Sequence, residues 1–534
     1  MSEQISFEDW LASQLSETEL TKWTTDLLVE LCEVPSFIQN DVKALTQAED
    51  LCFDIIEREL NKMVSATHVF HSFPMRKQIE DDEYYTIPAY TDHKEIYEGR
   101  RNCVLQPKNN YPWLFNAHVD VVPPYYPPTA EGGLVKGRGS NDNKGGVVLG
   151  MLVLKLLSQW DALNGTKLTS DLGLSFSIDE EIGGNGSLSL FYDLPLKGKS
   201  VVVLEPTKLK PHPANRGALW FQIRTKLNDE QHQQYHYQFA LAVVRGLFHL
   251  AVDIREKYPH PLFDQSDVQV CMGIMDRFGK FPASACTEVQ FRILSAQGIA
   301  AADLAEGANQ FLKSHEALNQ YTDMDRGEAH VLVDPCDGGV EVTVTATGGH
   351  MGSKDRGVDA IVKTAFLIEF FESFEALTFS WLDQNNVISL EGGQGFLPST
   401  NIKNIGVLIR EAAANAASAF HKSRSLPDGV LQVNVAYDKI HNEAYCSADN
   451  APGLEYIVNA LNDLGHEDRT EEITGWQASC DARIFARDSN DVTTFGAGAL
   501  ELAHGPNEHV KVNDIVKAAG VLAMAVYQRN QSND

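Results

Sequence analysis

Positive charge is scarce in this chain. Its 534 residues hold 44 Lys and Arg against 73 Asp and Glu, a formal net charge of -29. Such a balance repels nucleic acid and anionic membrane surfaces, so neither is expected as a partner. The eight cysteines form no C-x-x-C pair, which argues against a thiolate zinc site and against a disulfide scaffold. Long apolar runs are missing too: the longest, near Val147 to Leu157, contains Lys155 and is too short to cross a bilayer. The opening stretch, MSEQISFEDWLASQLSE, is acidic and lacks the basic-then-apolar layout of a secretory leader. These features together predict a cytoplasmic protein that handles small molecules.

What is present is a set of acids and histidines at the downstream ends of apolar runs. WLFNAHVD ends at His118 and Asp120, and LGLSFSIDEE ends at Glu180 and Glu181. VVVLE ends at Glu205, while GRGSNDNKGG sets Asp142 just ahead of an apolar helix. In an open α/β sheet, the loops after the strand ends collect on one edge, so residues distant in sequence converge there. Imidazole nitrogen and carboxylate oxygen are the donors that divalent zinc takes, with one position kept for water. Two such ions need a shared carboxylate between them. In HVD the first and third residues point the same way, so His118 can ligate while Asp120 accepts the other ring proton. Of the paired acids, one can ligate and the other take a proton from water.

The chain is longer than one hydrophobic core usually supports, so at least two domains are expected. Between VVVLE and the late AHGPNEHVKV lies an insertion with an internal repeat. The first copy runs through ALWFQIRT, QFALAVVRGLFHLAVDI, VQVCMGI, TEVQFRIL and AADLAEGANQFL. The second runs through VEVTVTA, VDAIVKTAFLIEFF, NVISLEG, NIGVLIR and EAAANAASAF. Both read strand, helix, strand, strand, helix.

NAHVDVVPP, GRGSNDNKGG, SIDEEIGGNGS, LEPT, GGHMGSKDRGVDAI and AHGPNEHVKV, in this order, resemble the M20 metallopeptidases and amidohydrolases over most of the chain. The resemblance implies an α/β fold: an α/β/α catalytic domain with a central sheet, formed by residues 1–215 and 429–534. Into it is inserted an α+β lid at 216–428, whose repeat reads as two tandem βαββα units at about 216–325 and 330–428. It implies metal ligands His118, Asp142 as bridge, Glu181, Glu205 and His504, with Glu180 as general base and Asp120 as the orienting acid. The cofactors would be two divalent ions, zinc first and cobalt or manganese as fits to similar donors. The peptide after Asp142 is implied to be cis. A lid histidine, His350, would donate to the oxyanion, and Asn401 and Arg410 would hold the substrate carboxylate. A doubled lid would let a monomer work alone, where single-lid members dimerise, and a homodimer stays open as the alternative.

The activity expected first is hydrolysis of an N-acyl amino acid amide, of the acetylornithine deacetylase or succinyl-diaminopimelate desuccinylase type. The alternative is a dipeptidase or carboxypeptidase of the same family. Outside enzymes, a non-catalytic metal-binding scaffold is the competing reading.

Overall fold

A computed structural model describes residues 5–64, 66–88, 96–282, 284–294, 300–321, 330–348, 358–374, 378–381, 385–437 and 441–532. The chain divides into two compact units, residues 1–215 with 445–534, and residues 216–444.

The first part of the discontinuous unit supplies α1 (Val42–Val64) and the strands β1 (His68–Pro74), β2 (Arg101–Pro107) and β3 (Trp113–His118). Then come α2 (Lys144–Asn164), β4 (Leu172–Ser177), α3 (Asn185–Phe191) and β5 (Ser200–Val203). Every residue of β3, β4 and β5 is buried, as near-continuous apolar strands covered on both faces should be. β3 runs parallel to both β4 and β5, so the chain ends of the three strands lie along one edge. α2 and α8 (Val512–Ser532, below) bury their apolar residues in the same core as β3 and β4. By length and apolarity α2 and the helix at 230–257 would each be long enough to cross a membrane, which corrects the run-length reading. Both are mostly buried within protein, 67% and 61% of the relevant windows.

The inserted unit begins at Arg216 with β6 (Gly217–Leu227), α4 (His236–Lys257) and β7 (Val270–Met275). It continues with β8 (Glu288–Leu294), α5 (Ala301–Ser314), β9 (Val331–Cys336), β10 (Gly339–Thr345), α6 (Ala360–Glu372) and β11 (Thr378–Ser380). β12 (Val387–Phe396), α7 (Ile402–Arg424) and β13 (Leu431–Ala436) complete it.

Two sheets result, ordered β7-β12-β6-β13 and β9-β10-β8-β11, each antiparallel throughout. Each is a βαββαβ unit with its strands in the order 2-3-1-4, the split βαβ arrangement. The duplication is therefore nested, not tandem: the run from β8 to β11 is inserted between β7 and β12 of the other unit. This corrects the repeat as read from sequence. Its frame split each unit, omitted β9, β11 and β13, and took NIGVLIR as a strand. That segment is helical, because Ile402, Ile405, Ile409 and Ala413 recur at helical spacing, with the last three buried in the core. α4 and α6, one from each unit, pack together, with Phe248 and Phe366 rings 5.4 Å apart and edge-on.

The second boundary also moves. Residues 429–444 belong with the inserted unit and not with the catalytic part, because β13 pairs with β6 from Leu431 to Ala436. After the chain returns, β14 (Val492–Thr494) joins the first sheet parallel to β5, giving the order β1-β2-β4-β3-β5-β14.

Candidate metal centre

The parallel strand ends deliver the expected side chains to one place. His118 is the last residue of β3, Glu180 and Glu181 follow β4, and Glu205 follows β5. Asp142 precedes α2, and His504 arrives from the returning segment with a left-handed φ of 63°.

His118 Nε2 lies 3.2 Å from Asp142 Oδ1, 3.9 Å from Glu180 Oε2 and 4.0 Å from Glu205 Oε1. His504 Nε2 lies 3.2 Å from Asp142 Oδ2 and 2.9 Å from Glu181 Oε2. The two oxygens of Asp142 thus face different histidines, one in the company of Glu205 and the other of Glu181. The peptide from Asp142 to Asn143 is cis.

Burial sets the charges of this cluster. Burial, reinforced by Asp142, pushes the Glu205 carboxyl well above the usual carboxylate range. Burial does the same for Glu180, where Asp481 and Glu181 add to it and His118 opposes. Glu181 is raised by burial and by Asp142, against the pull of His504. Burial alone would lower the His118 value, but hydrogen bonds with Asp120 and Asp142 outweigh it and hold the ring well above its ordinary range. Glu181, together with Asp142, lifts His504 to about 11 against burial. Glu181 Oε1 and Glu205 Oε1 are buried and accept no hydrogen bond. Buried carboxylates are retained only when paired or bound to metal. His118, Asp142 and Glu181 each offer one donor atom within 4.8 Å of the others. A set of imidazole and carboxylate donors with spare lone pairs fits divalent zinc, cobalt or manganese.

Asp120 acts differently from the sequence reading. The His118 ring Nδ1 is bonded to the Asp120 backbone carbonyl at 2.9 Å, with the carboxylate farther off at 3.5 Å. Its two carboxylate oxygens instead accept the backbone N–H groups of Glu180 and Glu181, each at 3.2 Å. Asp120 therefore positions the paired glutamates through their backbone as much as it orients the histidine.

Three supporting groups were not singled out from sequence. Glu508 Oε1 accepts the backbone N–H of Gly139, Asn141 and Asp142 at 2.8, 3.2 and 3.1 Å, while its other oxygen pairs with buried Arg138. Arg100, fully buried, grips Asp179 at 2.6 and 3.3 Å and Glu49 at 2.9 Å. Asp179 sits at φ 60°, so this grip holds the left-handed residue that immediately precedes Glu180. Asp481 accepts Ser177 and Ser187 hydroxyls at 3.3 and 2.5 Å, tying the end of β4 to α3 across the glutamate turn. Gly184 in that turn has φ 78°, and a Cβ there would lie 2.5 Å from Asp481 Oδ1. The sequence signal for these residues was at most an acid inside a quoted motif, as with Glu508 in AHGPNEHVKV.

Two of the remaining expected residues, Asn401 and Arg410, belong to the inserted unit. His350 is outside the described residues. Asn401 is the N-cap of α7, its side chain accepting the N–H of Asn404 at 2.9 Å. Arg410 is exposed on α7, with its guanidinium 5.0 Å from the Tyr437 ring centre.

Comparison with known proteins places this geometry in context. A family model described as peptidase family M20/M25/M40 matches residues 114–528. A probable carboxypeptidase of Aspergillus terreus is 32% identical over 179 residues, 31% of this chain and 38% of that one. A peptidase M20 domain-containing protein of Schizosaccharomyces pombe is 30% identical over 138 residues, 26% and 31% of the two chains. The chain thus spans less than two fifths of the length of these curated relatives. Among solved structures, human carnosine dipeptidase 1 superposes with a TM-score of 0.56 at 12% identity, covering 99% of both chains. The dipeptidase Dug1p of Saccharomyces cerevisiae gives 0.53 at 13% identity, covering 99% and 100%. At these identities the structural likeness speaks for the fold.

Proposed function

The chain belongs to peptidase family M20/M25/M40, and on that premise we propose that it is a dinuclear metal-dependent hydrolase cleaving a peptide bond next to a free carboxylate, of the dipeptidase or carboxypeptidase type. The observation that carries the two-metal reading is Asp142, whose two oxygens face His118 and His504 separately. His118, Asp142 and Glu205 would hold one ion, and His504, Asp142 and Glu181 the other. When bound, such ions lower the pKa of water toward about 7 and polarise the scissile carbonyl.

The protein's own part falls to Glu180. Its carboxyl is not needed as a ligand in this scheme, and burial, with Asp481 and Glu181 against His118, raises it above the ordinary carboxylate range. Glu180 takes a proton from the attacking water and returns it to the leaving nitrogen. Asp120 keeps it in place through its backbone N–H.

The substrate reading shifts from N-acyl amino acids toward peptides. Relatives named carboxypeptidase and a fold shared with dipeptidases support this, and nothing among them favours acetylornithine in particular. The nested pair of βαββαβ units supports a chain that needs no second copy, and the eight free cysteines suit the cytoplasm. A scaffold role is disfavoured because a competent residue fills each metal and base position.

The test is a panel assay on protein loaded with zinc, cobalt or manganese. Dipeptides and peptides with a free C-terminal carboxylate should be cleaved, while their amidated counterparts are spared. Hydrolysis confined to N-acyl amino acids would restore the deacylase reading, and failure to take up metal would remove the enzyme reading altogether.

A further inference from the structure

At the other ends of β3 and β5 from His118 and Glu205 lies a cavity of about 460 Å³, lined by Asn110, Tyr111, Asp171, Lys197, Lys199 and Arg529 among others. Three cations face it against one acid, in a chain whose formal net charge is -29. We propose that this cavity binds a small oxyanion, a phosphate or carboxylate group of a free solute, independently of the hydrolytic centre.

Lys199 is desolvated with no acid beside it, while Arg529 feels Asp171 and Asp491. Lys199 is 4% exposed, and its Nζ donates to the Tyr111 carbonyl at 2.7 Å and to Asn110 Oδ1 at 3.3 Å, 3.5 Å from the Tyr111 ring centre. Two of the three ammonium N–H groups thus go to neutral oxygens and none to a carboxylate. Arg529 is 8% exposed; its Nη1 donates to Ser200 Oγ at 2.6 Å and to the Pro112 carbonyl at 3.3 Å, and its buried Nε has no partner. Neither cation forms an ion pair among the described residues. Burial lowers Lys199 to about 8, and no acid offsets it.

The two acids nearby face Arg529 and accept hydrogen bonds from neutral donors, and neither reaches Lys199. Asp171 accepts from Asn530 at 2.7 Å and is raised by burial, while Asp491 accepts from Gly453 at 2.9 Å and from Ser200, and is raised likewise. Buried charge of one sign is costly until an opposite charge joins it. The cavity offers N–H donors from Lys199, Arg529, Lys197 and the Asn110 amide, which an oxyanion can accept together.

Calorimetric titration of inorganic phosphate and, separately, succinate into the full-length metal-loaded protein tests this. Saturable binding of at least one is expected, weakened about tenfold or more by Lys199→Met and a few-fold by Lys197→Met, because charge-assisted bonds are lost. Tighter binding of phosphate would identify a phosphoryl ligand, and tighter binding of succinate a carboxylate. Binding that survives both substitutions unchanged belongs to the metal centre and overturns the proposal, as does the absence of saturable binding by either anion. Should Lys199→Met fail to fold, exposed Lys197 carries the test alone, with circular dichroism to show its variant intact.

Discussion

In the unit formed by residues 1–215 and 445–534, buried acids crowd around His118 and His504 with oxygen atoms left unbonded. Among the described residues of 216–444, several buried charges are met by backbone groups nearby. Arg255 donates to the Val268 carbonyl at 2.7 Å, Lys363 to the Thr345 carbonyl at 2.8 Å, and Asp359 accepts the N–H of Val362 at 2.9 Å. One unit therefore holds charge that its own groups do not neutralise, and the other uses charge to cap and tie a fold. Unneutralised charge marks a place where something else binds, whereas capped charge marks architecture.

The sharpest way to break that contrast is to remove the shared acid. Asp142→Ala should abolish both metal retention and turnover, since each histidine loses the oxygen it faces. Metal that binds only the folded state raises stability by mass action, so zinc should raise the melting temperature of the unaltered protein and leave the variant nearly unmoved. Elemental analysis and melting curves with and without a chelator check this. A variant that keeps its full metal content would remove Asp142 from the bridge.

Next in size is Glu180→Gln, which should lower kcat by about 10² to 10⁴-fold while metal content stays near normal. Occupancy and activity are predicted to part here and to fall together in Asp142→Ala. Metal loss in Glu180→Gln would recast this residue as a ligand, and near-normal turnover would end its role as base.

Asp142 and Glu180 are both legible in the amino-acid sequence, and the reason is topological. A ligand at the end of an apolar run betrays itself, because parallel strands must finish on one edge. Glu508 could not be assigned this way, since its partner Arg138 is 370 residues away and nothing local links them. Asp481 likewise meets Ser177 and Ser187 across about 300 residues. In the inserted unit the elements were legible and their pairing was not. Periodicity tells a strand from a helix, but β6 and β13 look alike whether they pair with each other or with a neighbour in sequence. Nesting is decided by the register of whole sheets, which only the folded core selects.

A smaller effect separates histidines inside the same unit. His212 is pushed down to about 4 by burial, with its ring bonded to the Thr474 carbonyl at 2.8 Å, opposite in direction to His118 and His504. Its folded value lies below the ordinary 6.5, so between those values the unfolded chain binds the extra proton. Stability should therefore be full above pH 6.5 and fall by up to about 3 kcal/mol as pH drops toward 4. Denaturant midpoints across that window, compared with His212→Gln, isolate this share from that of the carboxylates. A variant with the same slope as the parent would assign the acid sensitivity elsewhere.

The smallest effect decides what Asn401 is for. The sequence pointed to a substrate contact, while the structure gives it the N-cap of α7 through the N–H of Asn404. A cap replaced by alanine typically costs about 1 kcal/mol, and serine caps nearly as well as asparagine. Asn401→Ala should accordingly lower the denaturant midpoint, and Asn401→Ser should restore it, both with KM close to that of the parent. A substrate amide contact would behave otherwise, because serine has no amide N–H to offer a carboxylate. If KM rises in both variants while serine recovers the stability, Asn401 serves the substrate as well as the helix. If KM stays constant throughout, the residue belongs to the architecture of the inserted unit, on the same side of the contrast as Asp359 capping α6.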